Sequence, residues 1–223
     1  MRTFGRIGGR ALSARQQNLI DTVLPTLNVP TPEDGSVDPA DLFAPETREV
    51  WLEIGFGGGE HLSGQAARHS GIGFIGCEPF IEGMAKALGQ IEDAELTNVR
   101  LHMDDARPVV ASLQDQSIAR VFILFPDPWP KKRQQKRRLI QPEFLDGLAR
   151  VLKPGGQLRF ATDVKSYADE ALHHFTQHPR FDWTASTADD WRKPPEDHLT
   201  TRYETKQLGD CAPVWFEFRL ADR

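Results

Sequence analysis

Between residues 49 and 163 the chain alternates two kinds of hydrophobic pattern. Short, nearly continuous apolar runs, EVWLEIG (49–55), GFIGCE (73–78), NVRLHM (98–103), ARVFILF (119–125) and QLRFATD (157–163), read as strands buried on both faces. The stretches between them are helical in pattern. The last predicts a helix opened by Pro142 and closed by Lys153-Pro154-Gly155-Gly156, with Phe144, Leu145, Leu148, Val151 and Leu152 on one face. This alternation predicts a doubly wound α/β sheet. Two further runs, FDWTAS (181–186) and VWFEFRL (214–220), are expected to pair as closing strands on either side of a polar, proline-bearing loop.

Ahead of this region the pattern changes. A short helical stretch around Leu12, Leu19, Ile20 and Val23 gives way to Pro25, Pro30, Pro32, Pro39 and Pro45, a density that sustains neither a helix nor an inner strand. Residues 1–47 are therefore expected to form a basic arm and linker, and residues 48–223 the domain proper. A hydrophobic content of 39% in 223 residues suffices for one sizeable core. No run approaches the roughly 20 apolar residues of a membrane helix, and the first residues lack the apolar core of a secretory signal, so a cytoplasmic protein is expected. Cys77 and Cys211 are the only cysteines, too few for a disulfide framework or a zinc cluster. His174 and His178 have the spacing of a metal pair but no evident third ligand, and no metal is expected.

The net charge of -5 is unevenly distributed. Arg2, Arg6, Arg10 and Arg15 crowd the first twenty residues without an acid, and KKRQQKRR (131–138) places six cations in eight positions. The arm reads as a second clamp on a polyanion, though an acid-poor, arginine-bearing start also has the composition of a transit peptide.

Ligands of open α/β sheets bind beyond the carboxyl ends of the strands. The loop after the first strand reads Glu53-Ile54-Gly55-Phe56-Gly57-Gly58-Gly59, and a nicotinamide fingerprint would need glycine where Glu60 or Leu62 stands. Acid-x-Gly-x-Gly-x-Gly instead resembles the first motif of S-adenosylmethionine-dependent methyltransferases, in which the loop, here Gly55 and Gly57, faces a cofactor without pyrophosphate. Glu78, 25 residues after Glu53, ends the second strand in position to accept from two ribose hydroxyls, and Asp105 follows the third, where an adenine amino group would lie. The fourth strand ends in Phe125-Pro126-Asp127-Pro128-Trp129-Pro130, whose prolines lock the backbone around a carboxylate. The cations that follow, Lys131, Lys132, Arg133, Lys136, Arg137 and Arg138, form a candidate phosphate-binding surface beside it. Trp129 and Tyr203 are candidate stacking partners for a flipped base.

LEIGFGGGE, CEP, DDA, FPDPWPKKRQQKRR, ATD and TRYE resemble, in sequence and order, the bacterial tRNA (guanine-N7-)-methyltransferase family, over about Val50 to Glu204. The resemblance implies a Rossmann-like class I methyltransferase fold, a mostly parallel seven-stranded sheet with helices on both faces and an antiparallel closing strand. It implies methyl transfer from S-adenosyl-L-methionine to N7 of guanosine 46 in the tRNA variable loop; the sequence leaves monomer and homodimer both open. It also implies cofactor contacts at Glu53, Glu78, Asp105 and Asp127, with Asp127 in the active site, and tRNA contacts at Lys131, Asp163, Thr201, Arg202, Tyr203 and Glu204. Pro130 stands where some members have histidine, and Arg202-Tyr203 replaces a lysine-phenylalanine pair. The alternatives are a methyltransferase acting on another RNA base, whose fourth-strand motif is typically Asp-Pro-Pro-Tyr when the target is an exocyclic amine, and a non-catalytic RNA-binding protein that keeps the fold.

Overall fold

The structure, a computed structural model, describes residues 11–32 and 36–222. Helices α1 (Ala14–Thr22) and α2 (Leu24–Leu27) come first. Strands β1 (Glu49–Ile54), β2 (Ile72–Cys77), β3 (Val99–His102), β4 (Ile118–Leu124) and β5 (Leu152–Thr162) then alternate with helices α3 (Glu60–Arg68), α4 (Ile81–Asp93), α5 (Ala106–Ser112) and α6 (Pro142–Val151). Helix α7 (Lys165–Gln177), strand β6 (Phe181–Trp183), helix α8 (Asp189–Arg192) and strand β7 (Val214–Leu220) complete the order. One sheet results, β3-β2-β1-β4-β5-β7-β6, with β1 to β5 parallel and β7 antiparallel to both its neighbours. This is the seven-stranded class I methyltransferase sheet that the resemblance implied.

Alternation within the inner strands explains the two layers of helices. Val50, Leu52 and Ile54 of β1, with Val121 and Ile123 of β4, enter one core shared with α5, α6 and α7. Trp51, Phe122 and Leu124 enter a second core shared with α1, α3 and α4. Residues of a strand point alternately to its two faces, so a run that is apolar throughout forces helices onto both.

Two segments differ from the sequence pattern. The Lys153-Pro154-Gly155-Gly156 stretch, expected to close a helix, lies within β5: Leu152 already pairs with Ile118, and a register shift before Arg120 and a positive φ of 70° at Gly155 absorb the irregularity. The proline-rich stretch, expected to be irregular, is strapped down in part. Ser13 and Gln16 cap α1 reciprocally, Leu19 is buried, and Arg15 pairs with Glu92 and Asp93 of α4. The Val29 amide donates to Leu101 on the edge strand β3, and Val37 bridges Leu113. Among the described residues no helix is long and apolar enough to cross a membrane.

Candidate active site

β1 and β4 are neighbours, yet the chain leaves β1 toward β2 on one side and β4 toward β5 on the other. Loops leaving such a pair diverge and open a crevice at the carboxyl edge. A groove of about 440 Å³ lies there, lined by Glu53, Gly55, Gly57, Glu78, Asp105 and Asp127. Thr201, Arg202, Tyr203, Arg137 and Trp129 also line it. Four strand ends and a distant loop thus bring together residues spread over 150 positions, from Glu53 to Tyr203.

The glycine loop turns through left-handed backbone at Gly55, Gly57 and Gly59, with φ of 75°, 58° and 85°. Helix α4 approaches it so closely that a Cβ on Gly83 would lie 2.2 Å from the Gly57 carbonyl oxygen. Glu78 braces the same loop: one carboxylate oxygen accepts the Gly57 amide at 2.7 Å and the other the Phe80 amide at 2.9 Å. Burial pushes its pKa up to about 7, against the pull of those two amides and with help from Asp127 and Glu53. Asp105 caps α5 by accepting the Arg107 amide and pairs with the Arg107 guanidinium. Glu53 is buried, and its Oε2 lies 2.8 Å from Nδ1 of the wholly buried His61. Sequence reasoning missed His61, because a polar residue in the first turn of a helix carries no sign of which way it faces.

Asp127 sits exposed at the lip of the groove, where the walls displace enough water to raise its pKa above the ordinary carboxylate value. Phe125 and Trp129 on either side hold positive φ of 52° and 42°. Non-glycine residues pay about 1–3 kcal/mol for such backbone, which persists only where the surroundings dictate it. One source of that constraint is Arg138, whose Nε donates to the Pro128 carbonyl at 2.8 Å. The Tyr203 ring lies 5.4 Å from that of Phe125, and its hydroxyl is 3.3 Å from Asp163.

The basic run is divided. Lys131, Lys132, Arg133 and Lys136 are exposed, on a stretch that runs between the groove-lining Trp129 and Arg137, and the Arg137 guanidinium lies over the Trp129 ring at 5.1 Å. Arg138 corrects the expectation of six phosphate-facing cations: it is wholly buried and its donors are committed to Pro128, Ser166 and Glu170. Two other expected RNA contacts also turn inward. Asp163 is buried and accepts from Tyr203, while Glu204 accepts from His198 and from both the amide and hydroxyl of Thr201. These acids shape the loop that carries Thr201 to Tyr203; they do not line the groove. Arg2, Arg6 and Arg10 of the arm lie outside the described residues. His178 faces Asp146 and His174 faces Glu170, and among the described residues no cluster could hold a metal ion.

A family model described as "Putative methyltransferase" matches residues 47–216. The chain is 58% identical to a tRNA (guanine-N(7)-)-methyltransferase of Hyphomonas neptunium, covering 99% of this chain and 100% of that one. It is 53% identical to the protein of the same name from Caulobacter vibrioides, over 98% and 94% of the two chains. Among solved structures, the 16S rRNA methyltransferase KamB superposes with a TM-score of 0.56 at 13% identity, covering 85% of this chain and 95% of that one. An rRNA methylase from Streptococcus thermophilus gives 0.54 at 12%, covering 79% and 89%. The structural likenesses speak for the fold, and the near full-length identities for the family: the chain belongs to the tRNA (guanine-N(7)-)-methyltransferases.

Proposed function

We propose that the groove binds S-adenosyl-L-methionine and that the chain transfers its methyl group to N7 of a guanosine in tRNA, at position 46 of the variable loop. The observation that carries this reading is the convergence of Glu53, Glu78 and Asp127 on one crevice at the switch point of the sheet. The residues fit such a ligand. Buried carboxylates beside a glycine loop favour a cation and hydroxyl donors, and they repel the pyrophosphate that a dinucleotide would place there. Glu53 would hold the amino group, Glu78 the ribose hydroxyls, Asp105 the adenine amino group, and Gly55 and Gly57 would leave the backbone open to approach. When bound, the cofactor supplies an electrophilic methyl group on a sulfonium. Asp127 would sit between this donor and the base, Thr201, Arg202 and Tyr203 would form the opposite wall, and Lys131, Lys132, Arg133 and Lys136 would take RNA phosphates. Arg137, stacked on Trp129, would bridge groove and RNA. Incubation with methyl-labelled cofactor and unmodified tRNA, followed by nucleoside analysis, tests the reading. Label in 7-methylguanosine supports it, and label in another nucleoside overturns it. Binding of S-adenosylhomocysteine without any transfer would favour the non-catalytic alternative.

The raised pKa of Glu78 makes cofactor affinity depend on pH. Two ribose hydroxyls require the carboxylate as acceptor, so protonation competes with binding. The dissociation constant for S-adenosylhomocysteine is expected to rise about tenfold for each pH unit below about 7, and Glu78→Gln to flatten this slope at weaker affinity, both measurable by calorimetry. The sign for folding is opposite. The folded value lies above the ordinary 4.5, so the free protein loses stability as pH rises from 4.5 to about 7.

A further inference from the structure

Behind the groove, on the face of the sheet covered by α3, a polar network joins Glu53 and Thr201, which the proposed chemistry uses, through residues that it does not. It begins at Glu53, whose Oε2 meets Nδ1 of His61 at 2.8 Å. On the far side of the ring, His61 Nε2 meets the Gln65 side-chain amide at 3.2 Å, and that amide also donates to the main-chain carbonyl of Asp197 at 2.8 Å. The pattern is that of a ring donating from Nδ1 and accepting at Nε2. Asp197 opens the segment leading to Thr201, and its carboxylate is clamped by Arg120 at 2.8 Å and Arg159 at 2.7 Å. The next residue, His198, reaches Glu204 at 2.8 Å, and Glu204 in turn accepts the Thr201 amide at 2.8 Å and hydroxyl at 3.0 Å. A continuous path therefore joins the cofactor side of the groove to its opposite wall.

The network also has pairing capacity in reserve. Among the described residues, Gln65 Oε1, Arg120 Nε, Arg159 Nη1 and His198 Nδ1 are buried with no hydrogen-bond partner. Coupling between sites needs an element whose equilibrium both ligands bias.

We propose that His61 and Gln65 are positioning residues that tie Glu53 to the loop presenting Thr201, Arg202 and Tyr203, so that cofactor and tRNA bind cooperatively. This rests on the assignment of the groove to S-adenosylmethionine and tRNA. A cation arriving at Glu53 changes how that carboxylate holds His61, and the change passes through Gln65 to the segment 197–204. By linkage, RNA on the loop tightens the cofactor by the same factor.

The test uses the full chain, measuring tRNA binding by fluorescence anisotropy with and without saturating S-adenosylhomocysteine, and S-adenosylhomocysteine binding by calorimetry. In the wild type the ligand tightens tRNA binding at least about fivefold. Gln65→Met reduces this to less than about twofold while leaving S-adenosylhomocysteine affinity alone within about twofold, because Glu53 and His61 stay paired. His61→Asn, which keeps a donor in place of Nδ1, behaves in the same way. His61→Leu loses the coupling and weakens S-adenosylhomocysteine about tenfold besides. If Gln65→Met fails to fold, the path is cut at His198: His198→Leu loses the coupling, and His198→Gln, with a donor in place of Nε2, regains it. Wild-type coupling retained in a folded Gln65→Met or His198→Leu, or no coupling in the wild type, overturns the proposal. The methyl-labelling assay on the wild type separates the two readings. A protein that neither binds S-adenosylhomocysteine nor forms 7-methylguanosine sinks the functional assignment, whereas one that does both with unaltered coupling in the variants sinks only the relay.

Discussion

Asp127→Ala lowers the single-turnover rate of methyl transfer by about 10²–10³-fold, while the dissociation constants for S-adenosylhomocysteine and tRNA each move by less than about fivefold. Guanine N7 carries a lone pair and no proton, so nothing need be deprotonated to make the nucleophile. The barrier is lowered by alignment, which can contribute up to about 7–11 kcal/mol, and by stabilising the positive charge that leaves the donor and appears on the purine. Asp127 is placed for both. It stands at the lip of the groove on a loop flanked by left-handed backbone at Phe125 and Trp129 and pinned at the Pro128 carbonyl by Arg138. Asp127→Asn separates the two contributions in rapid-quench measurements. A rate as low as that of the alanine variant identifies the carboxylate charge as the part that matters, whereas partial recovery identifies hydrogen bonding to the base edge. Near wild-type turnover in Asp127→Ala would remove the residue from the mechanism.

The site was legible in the sequence where topology alone determines position. A residue at the carboxyl end of a parallel strand can only lie at one edge of the sheet, so Glu53, Glu78, Asp105 and Asp127 could be brought together from their places after four apolar runs. The sheet was equally legible, because β1 and β4 carry apolar side chains on both faces and demand two layers of cover. What remained hidden depends on side-chain direction or on contacts between distant segments. His61 and Glu53 are eight residues apart, but only the inward face of α3 makes them partners. Arg120 and Asp197 are 77 residues apart, and no pattern of spacing announces that a loop acid will settle between two strand arginines. Lys153 to Gly156 carried a strong helix-stop signal and nothing to say that strand pairing would begin at once. Asp163 and Glu204 looked like polar groups beside a binding surface, yet their lone pairs are used to fold the loop itself.

The basic run shows how much such inward turns matter, and Arg138→Ala is expected to be the most damaging change within it. The Arg138 guanidinium is wholly buried over the Tyr167 ring at 4.8 Å and donates to the Pro128 carbonyl, the Ser166 carbonyl and hydroxyl, and Glu170. Truncation leaves the Pro128 carbonyl without its donor and a void among packed side chains, and it takes the counter-charge from Glu170. Glu170 keeps some access to water and a contact with Gln141, which softens the loss. A destabilisation of roughly 3 kcal/mol follows, at the lower end for a broken buried pair. For a chain of this size that lowers the melting temperature by about 6–12 °C in a thermal scan. Arg138→Lys restores little, because one ammonium cannot span the acceptors that a planar guanidinium reaches. Since Pro128 adjoins Asp127, methyl transfer falls together with stability. Replacing Lys131, Lys132 and Arg133 by alanine should separate the two: the melting temperature stays within about 2 °C, while tRNA affinity drops and its dependence on salt becomes shallower by up to about two to three log units per decade. An Arg138→Ala protein that melts like the wild type but binds tRNA with a shallower salt dependence would mean that this arginine meets phosphate after all.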